Sequence, residues 1–245
     1  MYIIGMNKSE MILEYLKDRP EIIRRAHAKL GNQGIMKKVR RFNIHHPGKF
    51  VTLKDIQSVT IGQNRYFSVL GMRWEKDIND FNASVSSFVI VPEPKSGKNL
   101  YFKFSATGYT ADLSNPDEVL SFGPHFIGRY QERYSGPGNL TGLDYNQVFS
   151  VFARNNHTFM IFHDPRDKSN VYLRVTDGLC LGRIDSETGI YRIKTFVDNT
   201  MLFQGQVDTY GDIEEVSNIM DNLFELNMFD STIVEEVLER LGEDL

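Results

Sequence analysis

Residues 87–104 read Ser87-Phe-Val-Ile-Val-Pro-Glu-Pro-Lys-Ser-Gly-Lys-Asn-Leu-Tyr-Phe-Lys-Phe104. Two runs of β-branched and aromatic side chains flank a connector that contains two prolines and a glycine. The runs favour strands, and the connector favours a turn. The stretch therefore predicts a β-hairpin with a longer loop.

Further strands are predicted on both sides of this hairpin. Residues 50–53 and 65–74 precede it, and three strands at 158–162, 171–184 and 190–197 follow it. The pattern indicates antiparallel pairing, and it leaves open whether the two blocks of strands form one sheet or two.

Helices are predicted at three places. Apolar residues recur at helical spacing over 9–30, where Pro20 would kink the helix or divide it. A central pair is predicted over 124–134 and 144–153, with Pro124 in a favoured first-turn position and Thr141 as a cap. Residues 106–120 are predicted as a loop, and an acidic apolar-striped tail is predicted to be helical.

These elements predict an α+β fold in three parts. Residues 1–110 are assigned to a basic helix and an antiparallel sheet. Residues 111–207 are assigned to a helix-helix-sheet unit that carries the candidate site. Residues 208–245 are assigned to an acidic helical tail that packs on the body, on a second copy or on a partner protein.

The charge distribution is polarised although the net charge is only −4. Residues 21–54 contain nine Lys or Arg and one acid, whereas residues 208–245 contain twelve acids and one Arg. The basic segment, with Lys37, Lys38, Arg40 and Arg41, can follow a phosphate backbone. A solvated surface is the competing interpretation of both segments.

Composition excludes several classes of protein. Cys180 is the single cysteine, which excludes an internal disulfide and a thiolate-rich zinc site. We expect it to be a buried strand residue. No metallohydrolase, nucleophile-elbow or dinucleotide motif is present, so we predict no metal and no cofactor. No apolar run is long enough to span a membrane, and cytoplasmic residence is expected.

The chemistry-bearing motif is Phe122-Gly-Pro-His-Phe-Ile-Gly-Arg-Tyr-Gln-Glu-Arg-Tyr134. In a helix, His125, Arg129 and Arg133 form one stripe about 12 Å long. Histidine transfers protons near neutral pH, and guanidinium pairs bidentately with phosphate. The stripe therefore suits phosphodiester chemistry, with Tyr130 and Tyr134 stacking on bases. It equally suits a surface helix whose arginines pair with Glu132 or with the acidic tail.

Residues 122–197 resemble the metal-independent ribonucleases grouped as barnase, EndoU, colicin and RelE-like, including phage-borne members. The resemblance lies in the H-x-x-x-R-x-x-x-R helix, the second helix and a short sheet that contains Thr-Asp-Gly-Leu-Cys-Leu-Gly182 and Arg192-Ile-Lys-Thr195. It implies RNA cleavage by the RNA's own 2′-hydroxyl, in a bacterial or phage protein. The residues that it implies for this reaction are His125, Arg129, Arg133, Lys194 and Thr195.

The leading prediction is an RNA-binding protein with metal-independent ribonuclease activity. The alternative is a non-enzymatic interaction or structural module that uses residues 208–245. An enzyme requires His125 to share a cleft with the two arginines and with Lys194 or Thr195. The ribonuclease prediction fails if His125 points into an apolar core or if Lys194 lies on the far face of the sheet.

Overall fold

The computed structural model describes residues 1–30, 51–74, 81–94, 96–105, 116–156, 159–164 and 167–201. Within these ranges the chain forms three α-helices: α1 (Lys8–Leu30), α2 (Pro124–Arg133) and α3 (Tyr145–Asn155). It also forms nine strands: β1 (Val51–Ile61), β2 (Asn64–Trp74), β3 (Phe81–Pro92), β4 (Asn99–Ser105), β5 (Glu118–Phe122), β6 (Phe159–His163), β7 (Asn170–Val175), β8 (Gly178–Ile184) and β9 (Tyr191–Asp198). The fold class is α+β, as the sequence predicts. None of these helices is long and apolar enough to cross a membrane.

All nine strands belong to one sheet, in the order β1-β2-β3-β4-β5-β9-β8-β7-β6. From β1 to β5 each strand pairs antiparallel with the next, and β6, β7 and β8 do the same. β5 and β9 pair in parallel, with Leu120 opposite Tyr191 and Phe122 opposite Ile193. This parallel pair joins the two predicted blocks of strands, and both lie in one compact unit, Met1–Val197.

The two faces of the sheet carry different cores, because successive side chains of a strand point to opposite faces. In β4, Tyr101 packs in a cluster with α2 and α3, whereas Phe102 packs in a cluster with α1. Met11 and Ile22 are the buried residues that α1 contributes to the second cluster. The helix pair and α1 therefore lie on opposite faces.

An aromatic cluster holds the helix pair on its face. Phe149 of α3 stacks on Tyr101 with ring centroids 3.6 Å apart. The ring centroid of Phe152 lies 5.3 Å from that of Phe122 in β5 and 5.0 Å from that of Phe126 in α2. Burial of each such side chain contributes about 1.5–3 kcal/mol. The position of α2, which carries the predicted motif, is thus fixed by packing on both β5 and α3.

A polar network fixes α1 to the opposite face. The Tyr66 hydroxyl of β2 and Asn64 Nδ2 both donate to Asp18 Oδ2, each at 2.6 Å. Asn64 Nδ2 also lies 3.2 Å from Glu14 Oε1, which pairs with the N-terminal ammonium of Met1. Asn64 and Tyr66 are buried. The folded state would be less stable if either polar side chain were buried without these partners.

Local details differ from the sequence expectations. α1 runs through Pro20 as one helix. Part of the predicted loop forms β5, and the strand predicted over 171–184 is two strands joined by a turn at Thr176 and Asp177. α3 is capped by Asp144, whose side chain accepts from two backbone amides of the first turn, and not by Thr141.

We expect Glu14→Gln to destabilise the protein in a pH-dependent way. The N-terminal ammonium, Lys17 and Asn64, in that order, lower the pKa of Glu14 from 4.5 to about 2. A lowered carboxyl pKa stabilises the folded state above pH 4.5, and this stability is lost as the pH falls from 4.5 toward 2. The loss at pH 7 should be up to about 1 kcal/mol in urea unfolding.

The matched control is Glu187→Gln, because Glu187 is exposed in the turn that precedes β9. Its effect should stay within about 0.5 kcal/mol at every pH. If Glu14→Gln lowers the free energy of unfolding as much near pH 2 as at pH 7, the lowered pKa is not a property of Glu14.

Candidate functional site

α2 carries the predicted stripe on its accessible side. The helix begins at Pro124 after the N-cap Gly123, and Tyr134 is its C-cap. It buries Phe126, Ile127 and Tyr130. His125 is exposed, and Arg129 and Arg133 are half-buried. The helical spacing of the three stripe residues is therefore as predicted, and each keeps some contact with solvent.

Arg133 is held by neutral oxygen atoms. Its Nη1 donates to Thr195 Oγ1 at 3.2 Å and to the Phe196 carbonyl oxygen at 2.6 Å. No acidic side chain in the described part of the chain forms an ion pair with this guanidinium. The positive charge is thus oriented by β9 without being neutralised by it. Such a group can accept an anion without first losing a carboxylate partner.

Arg129 forms an exposed ion pair with Glu132. Its Nη1 lies 2.9 Å from Glu132 Oε2, and the two side chains are 41% and 62% exposed. An exposed pair of this kind contributes about 0–1 kcal/mol. This is one of the two pairings that the surface-helix interpretation predicts. A phosphate can compete for Arg129, but Glu132 opposes it.

Lys194 does not share this site. Along β9, the buried Tyr191 and Ile193 belong to the cluster under the helix pair, and the exposed Arg192 and Lys194 alternate with them, so Lys194 lies on the opposite face of the sheet. The side chain is exposed there. Its predicted place beside the arginines is therefore wrong. Of the two late-strand residues, Thr195 is the one that the fold brings to the stripe.

Tyr130 cannot stack on a base, so that prediction is wrong. Its ring is fully buried and lies 5.1 Å from Phe152 and 4.9 Å from Phe196. Its hydroxyl donates to Asp177 Oδ2 at 2.5 Å, and burial raises its pKa. Tyr134 is half-buried, with its hydroxyl 3.3 Å from the Pro137 carbonyl oxygen. Only Tyr134 of this pair keeps an accessible surface.

The remaining predicted contacts cannot be placed. Lys37, Lys38, Arg40 and Arg41 lie outside the described residues. The acidic segment 208–245, with its predicted helices and its proposed role toward a partner or a second copy, also lies outside them.

Asp177 is a residue that the sequence interpretation missed. Its carboxylate accepts from Tyr130 and from Asn156 Nδ2 at 2.8 Å, and its backbone amide donates to Asn156 Oδ1 at 3.0 Å. Asp177 therefore joins α2, the end of α3 and the β7–β8 turn. The available signal is the turn residue itself, because Asp-Gly between two apolar runs indicates a hairpin turn.

β9 approaches β8 closely at Gly182. A Cβ at this position would lie 2.6 Å from the Arg192 carbonyl oxygen and 2.8 Å from Ile193 Cδ1. Glycine is required here because the facing atom is backbone and cannot move aside. The neighbouring Cys180 is fully buried, as expected, and burial raises the pKa of its thiol. Gly182 thus helps to hold β9, and with it Thr195, in place.

The arrangement can bind an anion and can supply one proton-transfer group. Arg133 is oriented by Thr195, and Arg129 becomes available to an anion when its ion pair with Glu132 breaks. His125 is exposed near the start of the same helix. The side chain of His125 forms no hydrogen bond or ion pair with the other described residues. The set of five residues that the ribonuclease resemblance implies is therefore only partly assembled.

We expect Tyr130→Phe to destabilise the protein by about 1.5–3 kcal/mol, because a buried hydrogen bond to a carboxylate is lost. Urea unfolding measures this loss. Tyr134→Phe is the matched control, and its loss should be smaller because its hydroxyl donates to the neutral Pro137 carbonyl group and accepts from the neutral Asn155 amide, whereas Tyr130 donates to a carboxylate. Equal losses for the two variants would show that Asp177 does not anchor α2.

The chain was compared with protein-family models, curated proteins and solved structures, and none of them matches it. The resemblance to metal-independent ribonucleases therefore depends on the motif residues alone.

Proposed function

We propose that this protein binds the phosphate backbone of single-stranded RNA along α2, with Arg133 as the principal contact and Arg129 as the second. His125 lies two turns from Arg133 on the same helix side, so the three residues can follow successive phosphates of one strand. The proposal concerns binding. The position of Lys194 on the opposite face counts against cleavage of the bound strand, and cleavage is therefore tested separately through His125.

The observation that carries the proposal is the environment of Arg133. Guanidinium groups suit bidentate pairing with carboxylate or phosphate, and this one is oriented by a hydroxyl and a carbonyl oxygen with no carboxylate partner among the described residues. The guanidinium group keeps its positive charge, and the N–H groups that do not bind Thr195 or Phe196 can donate two parallel hydrogen bonds to one acceptor group. A phosphate oxygen pair matches that geometry.

A single strand suits this site better than a duplex. The stripe occupies one helix of 10 residues, and α2 lies against the sheet with its other side buried. It cannot enter a groove as a free recognition helix does. A flexible strand can instead lie along the accessible side and present its phosphates there.

Two substitutions separate the charge of Arg133 from its hydrogen-bonding geometry. Arg133→Lys keeps the charge but loses the bidentate fork, so affinity should fall and the salt dependence should change little. Arg133→Ala should lower the affinity and also make the negative slope of log affinity against log salt shallower by about 0.7, the value for one lost contact on a single strand. Fluorescence anisotropy of a labelled 2′-O-methyl RNA measures both, because this RNA cannot be cleaved through its 2′-hydroxyl.

The matched control is Lys17→Ala, because Lys17 is an exposed cation of α1 that lies outside the basic segment 21–54. It should leave the affinity unchanged. An Arg133→Ala protein that is folded and binds as tightly as the wild type would disprove the proposal.

Glu132→Gln should raise RNA affinity by up to about fivefold, because it frees Arg129 from an ion pair worth up to about 1 kcal/mol. The same anisotropy titration measures this gain. A binding site elsewhere on the protein would not respond to this change. An unchanged or lower affinity would remove Arg129 from the site.

Cleavage is tested separately with unmodified RNA on a denaturing gel. If His125 transfers the proton, His125→Ala should abolish cleavage and leave the binding of 2′-O-methyl RNA within about twofold of the wild type. Wild-type protein that binds RNA but does not cleave it would show that the ribonuclease prediction is wrong and that binding is the activity.

A further inference from the structure

The face of β8 and β9 that is turned away from α2 and α3 carries three exposed cations, Arg183, Arg192 and Lys194. We call this surface the open face. α1 and its core cluster lie against the β1–β5 half of the sheet, and Ile190, just before β9, is the cluster's one buried member from the second block of strands. No helix in the described ranges packs over the three cations.

Lys194 differs from the two arginines of the open face in having no ion-pair partner among the described residues. Arg192 Nη2 lies 2.5 Å from Asp185 Oδ2, and Arg183 Nη2 lies 3.1 Å from Asp167 Oδ2. Lys194 forms no ion pair with any acid of the described residues. The Arg183–Asp167 pair is exposed on both sides, at 57% and 46%, and is therefore weak. The face keeps positive charge, centred on Lys194.

The open face adjoins the α2 site at one point of β9. Lys194 directly precedes Thr195, which binds Arg133, so their Cα atoms lie about 3.8 Å apart. The last residue pair between β5 and β9 joins Phe122 and Ile193. β5 therefore ends before it reaches Lys194, and it does not separate the two surfaces there.

We infer that an RNA strand bound at α2 continues past the end of β5 onto the open face, where Lys194 contacts its next phosphate. This inference rests on the proposed RNA binding and adds a requirement for length. A short strand fills the α2 site alone, whereas a longer strand engages both surfaces. Linking two contacts on one strand raises affinity without any change in the first contact.

The experiment compares 2′-O-methyl RNAs of about 4 and about 12 nucleotides in anisotropy titrations at several salt concentrations. Lys194→Ala should make the negative slope of log affinity against log salt shallower by about 0.7 for the long RNA. It should leave the affinity and the slope for the short RNA unchanged. Lys194→Glu should lower the affinity for the long RNA further, because it adds repulsion. The matched control is Lys17→Ala, since Lys17 is 71% exposed on α1, and it should change neither RNA.

Each outcome assigns the result to one proposal. If Lys194→Ala leaves the long RNA unchanged, or weakens both lengths equally, the continuation onto the open face is wrong. If Arg133→Ala weakens the short RNA at the same time, the α2 site stands without it. If Arg133→Ala weakens neither length, the proposed function itself fails. Unfolding midpoints equal to wild type exclude misfolding, which is not expected at an exposed lysine.

Discussion

The parallel pairing of β5 with β9 is the contact on which the rest of the structure depends. It joins a block of five strands to a block of four through three consecutive residue pairs. Because β5 leads directly into α2, the pairing also sets that helix beside the end of β9. Arg133 reaches Thr195 and the Phe196 carbonyl group for this reason. The candidate site is thus a product of sheet topology more than of the motif within α2.

Much of this fold is predictable from local pattern. The hairpin of β3 and β4 and both central helices follow from strong apolar runs bounded by turn residues, although Asp144 and not Thr141 caps α3. β5 was missed because five residues beside a proline give too short a signal, although the strand is central in the sheet. Its pairing with β9 is a long-range contact, which no local pattern specifies. The joining of the two blocks therefore needed the structure.

The site was predictable in its spacing and not in its surroundings. Apolar residues at Phe126, Ile127 and Tyr130 mark the buried side of α2, so the burial of Tyr130 could have been inferred from helical spacing. The face of Lys194 could not, because alternation along β9 assigns a face only once the position of the helices is known. The partner of Arg133 likewise depends on how far β9 extends past β5.

The β5–β9 contact has a consequence for the order of folding. Ser121 Oγ donates to the Tyr191 carbonyl oxygen across 70 residues of sequence, and the Arg133–Thr195 contact spans 62. Contacts of such range carry a loop-closure cost that hairpins such as β1–β2 avoid. We therefore expect the hairpins and the helix pair to form before the crossover closes. The anion site would then be absent from chains whose strands are formed but not yet joined, so that binding competence marks the last stage of folding.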